Sequence, residues 1–104
     1  MTKIVVYSLR ARRQLLDLYL WVAQQSGFPD RAQSFVAAII DYCDGLAHFP
    51  LRGIARDDVR PGLRILGFRK RVTIAFAVHD RRVEVLGLYY GGQRVEELIS
   101  DQTD

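Results

Sequence analysis

The stretch VTIAFAVHDRRVEVLGLYY, residues 72–90, decides the fold. Its first half alternates, so that Val72, Ile74, Phe76 and Val78 fall on one face of an extended strand. His79 to Arg82 supplies a tight turn around Asp80, whose short polar side chain favours turn geometry. Val83 to Tyr90 follows as another strand, and Gly91-Gly92 ends it. Upstream, Leu63 to Phe68 has the composition of a further strand. It is entered from a basic loop carrying Gly53, Asp57, Asp58, Pro61 and Gly62.

The N-terminal half has a different period. Ile4, Val5, Val6 and Tyr7 form a short β-branched and aromatic run, a first strand, and Ser8 is placed to cap a helix through its hydroxyl. From about Leu9 to Gln25, Leu15, Leu18, Tyr19 and Val22 recur at the spacing of one helical face. Leu16, Leu20 and Ala23 widen that face, which predicts a helix buried on more than one side. Gly27 and Pro29 break the pattern. Asp30 is then the expected cap of a second helix, from about Arg31 to Ala47, with Phe35, Ile39, Tyr42, Cys43 and Leu46 along one stripe. So short a connection favours an antiparallel helical hairpin. The order is β-α-α-β-β-β, the α+β class, with the hairpin packed on one face of a mostly antiparallel sheet.

The 104 residues fit one domain, 1–104, and half of them are hydrophobic, enough for a core without disulfides or metal. The apolar stretches are too short and too interrupted to span a bilayer. No basic leader with a long apolar run opens the chain, so the expected location is the cytoplasm. Cys43, the only cysteine, lies on an apolar stripe where a buried thiol is the usual outcome. The net charge of +3 is unevenly spread: residues 1–14 hold four bases and no acid, and residues 51–71 hold seven bases against two acids. Such blocks favour a basic face able to meet phosphates or an acidic partner. With only His48 and His79, no Cys pair and no carboxylate at ligand spacing, no metal site is expected, nor any cofactor. Ser8 has no visible activating partner, and Gly91-Gly92 lacks the companions of a phosphate loop.

Several local patterns occur in the order found in the RelE/ParE superfamily of toxins. Tyr7-Ser8-Leu9-Arg10-Ala11 resembles the family's first strand-to-helix junction. Asp17-Leu18 and Trp21-Val22 match its first helix, and Ala32 with Phe35 its second. Phe49-Pro50 then Arg52-Gly53 resembles the end of that helix and the loop after it. Pro61-Gly62-Leu63-Arg64 resembles the entry to the second strand. Val83-Glu84-Val85-Leu86 and Tyr89-Tyr90-Gly91-Gly92-Gln93 resemble the closing strand and its exit. Together these patterns span nearly the whole chain.

The resemblance implies the toxin of a type II toxin-antitoxin pair, ParE-like, that inhibits DNA gyrase by binding and is neutralised by a cognate antitoxin. Arg64, Arg69, Lys70 and Arg71 are then the candidate target contacts, with no catalytic residue. The alternative is a ribosome-dependent endoribonuclease of the RelE type, with Arg64 on phosphate and Tyr90 in proton transfer. Against it, the exit of the last strand and the tail carry no full acid-base set. A second alternative is a non-toxic, antitoxin-binding domain. The resemblance further implies a heteromeric complex with the antitoxin, which would make the main contacts to DNA.

Overall fold

The computed structural model describes residues 2–100, so residues 101–104 of the tail, read above as carrying no full acid-base set, lie outside the described residues. The elements are β1 (Ile4–Tyr7), α1 (Leu9–Ser26), α2 (Pro29–Asp44), a 3-10 turn (Gly45–Ala47), β2 (Ile54–Ala55), β3 (Leu63–Phe68), β4 (Val72–Val78), β5 (Arg82–Tyr90) and α3 (Glu97–Ser100). The sheet order is β1-β5-β4-β3-β2. β1 lies parallel to β5, with Val5 opposite Val83, and every other pairing is antiparallel. This is the expected α+β arrangement.

Alternation breaks once, inside β5. Ala75 pairs with Gly87 but Phe76 pairs with Val85, so Leu86 is one residue too many, a β-bulge. Val83 and Val85 therefore face the helices before the bulge, and Leu88 and Tyr90 face them after it. Leu86 and Tyr89 point to the opposite side. The start of α1 satisfies the polar groups that the bulge and the end of β1 leave over. The Ser8 hydroxyl accepts from the Ala11 N–H (3.0 Å) and donates to the Leu86 carbonyl (3.1 Å), while Gln14 Oε1 accepts from the Leu88 N–H (2.8 Å). One serine thus caps the helix and fastens it to the last strand.

The main core lies between the helical hairpin and the sheet, with Leu18, Ile39, Ile74, Phe76, Val83, Val85 and Leu88 fully buried. A smaller apolar layer covers the other face. Val59, Val95 and Leu98 close over Leu63, Ala75, Leu86 and Tyr89. Arg56 ties the two covering segments together, gripping Asp58 through two hydrogen bonds of 2.9 Å and reaching Glu96 at 3.2 Å.

Three expectations are corrected. The second helix begins at Pro29 rather than Arg31, and Phe28 rather than Asp30 occupies the cap position. Proline suits the first helical position because its missing N–H would have had no partner there, which leaves Asp30 in the first turn, where its charge favours the dipole. That helix ends at Asp44, its last turn tightening to 3-10 over Gly45–Ala47. Leu16 and Leu20 do not widen the buried face: they are 61% and 56% exposed, because among the described residues nothing packs on that flank of α1. β2 and α3 were not expected, two and four residues being too short to show a period.

Candidate functional site

The β3–β4 hairpin closes with the Arg71 N–H on the Phe68 carbonyl (3.0 Å) and holds Arg69 and Lys70 at φ 51° and 58°. Left-handed backbone costs a non-glycine residue about 1–2 kcal/mol. This turn turns its arginines back over the rings of the helical hairpin. The Arg69 guanidinium lies 4.9 Å from the Phe68 ring centre and 5.9 Å from that of Phe35; Arg71 lies 5.1 Å from Phe35 and 5.7 Å from Trp21.

The rings fall into two contacting sets, bridged by Arg71 between Trp21 and Phe35. Trp21 packs on Tyr90 (5.3 Å), Phe35 on Phe68 (5.6 Å) and Tyr42 on Phe68 (5.1 Å). Arg52 extends the series over Tyr42 and Phe49 at 5.7 and 5.9 Å, and Arg31, at the start of α2, stacks on Phe28 at 4.7 Å. The result is a ridge in which guanidinium and ring alternate. Each stacked pair at such a solvent-facing position contributes roughly 0.5–1 kcal/mol and, more to the point, fixes the direction of the planar fork. Among the described residues, no ion pair joins Arg31, Arg69, Lys70 or Arg71 to a carboxylate.

The sequence-predicted residues do not converge. Arg69, Lys70 and Arg71 share the hairpin, but Arg64 lies at the far end of β3, about 16 Å away at about 3.3 Å per residue. Its guanidinium is engaged: it donates to the carbonyls of Leu51 (2.9 Å), Arg52 (3.0 Å) and Gly53 (3.3 Å). Gly53, at φ 76°, sits so close to the Ile65 carbonyl that a side chain there would collide with it. The 51–53 loop is therefore clamped onto β3 from two sides.

Tyr90 is buried against Trp21, and its hydroxyl is pushed above the ordinary tyrosine range by burial and by the charge of Asp17. Opposite Val72 it stands two strands over from Arg64 and about 13 Å further along them, so the two do not meet on one phosphate. Tyr89 faces the other side of the sheet, also buried. His79 lies 3.4 Å from Glu84, and His48 stands beside Phe49. No group of metal-ligating side chains occurs among the described residues.

Two features had no clear signal in the sequence. Arg31 and Arg52 join the ridge from distant positions, and only the close packing of α2 against the β3 end shows it. Leu9, Leu16 and Leu20 form an exposed stripe on α1, at spacings of seven and four, flanked by the exposed Arg12 and Arg13. A hollow of about 330 Å³ between Leu20, Trp21, Tyr90 and Gly91 connects this stripe to the ridge.

Among solved structures, a chain of the chromosomal ParDE toxin-antitoxin system from P. aeruginosa superposes with a TM-score of 0.74 at 20% identity, covering 86% of this chain and 96% of that one. A chain of the toxin-antitoxin complex RelBE2 from Mycobacterium tuberculosis superposes with a TM-score of 0.61 at 21% identity, covering 88% and 100%. At these identities the likeness is one of fold. No curated protein matches the sequence. The model of the ParE toxin of the type II toxin-antitoxin system parDE matches residues 5–95, and with that match the chain belongs to the ParE toxin family.

Proposed function

We propose that this toxin acts by binding DNA gyrase, with the Arg69-Lys70-Arg71 hairpin as its main contact, and that a cognate antitoxin neutralises it in the cytoplasm. The observation that carries the reading is the ridge: an oriented set of cations that, among the described residues, form no ion pair with a carboxylate. Such a set recognises an anionic surface but does not by itself activate a ribose hydroxyl. Arg64 is assigned to the scaffold rather than the contact, because its Nε and Nη2 donate to three loop carbonyls.

The antitoxin is assigned to the Leu9, Leu16 and Leu20 stripe. Burying each leucine on a partner is worth about 1.5–3 kcal/mol, and Arg12 and Arg13 select acidic neighbours around an apolar seam. Operator DNA is then reached mainly through the antitoxin. The deciding experiment incubates the purified chain with gyrase and, separately, with a translating extract. Inhibition of supercoiling with intact transcripts supports the reading, and R69Q/K70Q/R71Q should weaken that inhibition about tenfold or more. Cleaved transcripts with unaffected supercoiling would replace it with the nuclease alternative. L16E/L20E should keep the fold and lose antitoxin rescue.

A further inference from the structure

The ridge has a deeper part. Where the start of α2 meets the β3–β4 hairpin, two hollows of about 370 and 280 Å³ share Arg31 and Phe35 as common walls. Arg69, Ser34 and Asp30 complete the first. Arg71, Ser26, Gln25 and Val22 complete the second. Two guanidinium groups, those of Arg69 and Arg71, thus stand over the buried Phe35 ring, and Arg31, whose own guanidinium stacks on Phe28, walls both hollows from the other element.

We propose that this double hollow binds the phosphodiester backbone of a single-stranded nucleic acid. The inference rests on the reading of the hairpin as the target-contacting element, and it names the chemistry met there. Like charges drawn together repel one another, and a bound polyanion removes that repulsion. The guanidinium planes are held by stacking, so their forks are oriented before any ligand arrives. The Ser34 hydroxyl and the Gln25 amide supply further donors, while the Ser26 hydroxyl donates to the Phe28 carbonyl (3.3 Å). Asp30, on the rim of the first hollow, is the single carboxylate lining either one, which makes the second the stronger phosphate seat.

The backbone points the same way. A two-residue left-handed turn is cheapest as Asn-Gly, yet this chain places Arg69 and Lys70 there at a conformational cost. The ring of Phe28, 56% exposed and stacked under Arg31, favours a nucleic acid over an acidic peptide, since it offers a face to an unpaired base beside the phosphate-seeking group.

The test is fluorescence anisotropy of the full chain with a labelled twelve-nucleotide oligothymidylate, a duplex of the same length and an oligoglutamate of matched charge. The oligothymidylate should bind best, with a log-log salt slope of about −2 to −3 for three or four neutralised phosphates. R31Q and R71Q should each weaken binding about tenfold and flatten the slope by about 0.7. R71K should fall between, F28A should harm the single strand and spare the duplex, and R81Q, at the other end of the strands, should change nothing. Circular dichroism checks each fold; should R71Q unfold, R31Q and R71K still give the readout. Equal binding of oligoglutamate, equal losses in R81Q and R71Q, or no binding at low salt would overturn the proposal. Supercoiling assays on the same proteins separate the two ideas: oligonucleotide binding without gyrase inhibition leaves this site standing and removes the gyrase reading, and the converse removes only this site.

Discussion

Arg64 shows how little the charge of a side chain says about its work. In the sequence it was a candidate for phosphate; in the fold its donors close the 51–53 loop. The distinction is testable, because lysine keeps the charge and loses the fork. Arg64→Lys should lower stability by about 1–2 kcal/mol in urea unfolding, the low side of the range since the loop faces solvent. Phosphate contact would instead leave stability unchanged. Cys43 makes the opposite case, a residue whose burial was read correctly from its helical stripe. Its thiol faces the buried Tyr7 hydroxyl, which makes no hydrogen bond of ordinary geometry, and burial pushes the thiol up to about 11 from 9.0. Tyr7 is raised for the same reason. The unfolded chain therefore releases these protons first. The stabilisation is whole below pH 9 and is lost as pH rises toward 11 and beyond. Unfolding midpoints measured from pH 8 to 11 should fall across that window, with Cys43 unreactive to thiol reagents until the chain opens.

At the scale of elements, the strands were legible because β3, β4 and β5 are long enough to alternate, and the helices because one face of each is apolar. What failed has specific causes. The bulge at Leu86 reverses the faces of Leu88 and Tyr90, a switch that a period of two does not foresee. Leu16 and Leu20 look like core by composition and are not, since hydrophobicity marks a surface that needs covering without saying which molecule covers it. The ridge was half visible: Arg69, Lys70 and Arg71 announced themselves as a run, whereas Arg31 joins them only through tertiary packing. The hairpin that carries the run gives the prediction for this scale. Replacing Arg69-Lys70 by Asn-Gly should raise stability by about 1–3 kcal/mol, because both positions need left-handed backbone. On the gyrase reading proposed above, the same exchange should weaken inhibition of supercoiling; if it stabilises the protein and leaves inhibition intact, Arg69 and Lys70 are not the contact.

For the whole molecule, the sheet is a partition between two apolar layers of unequal depth. The thinner one depends on the Arg56 clip between the segment before β3 and the one leading to α3. Asp58 is held below the usual carboxylate range by its hydrogen bonds from Arg56. Glu96 is lowered first by a backbone hydrogen bond and then by Arg56. With folded values depressed, the clip is intact above the ordinary carboxylate range and is lost as pH falls through the lowered values. Protection of the Leu98 amide, whose N–H donates to the Val95 carbonyl, measured against the intrinsic exchange rate at each pH, should fall on acidification before the main core opens, and Glu96→Gln should reproduce part of that loss at neutral pH.

Finally, β1 lies beside β5, and the Ser8 hydroxyl finds its acceptor 78 positions downstream. A nascent chain can coil its helices early, but the first strand waits without a neighbour until the last one has been made. The fold therefore closes only once β5 has been made, and arrested chains stopping short of residue 82 should be degraded by protease as readily as an unfolded polypeptide.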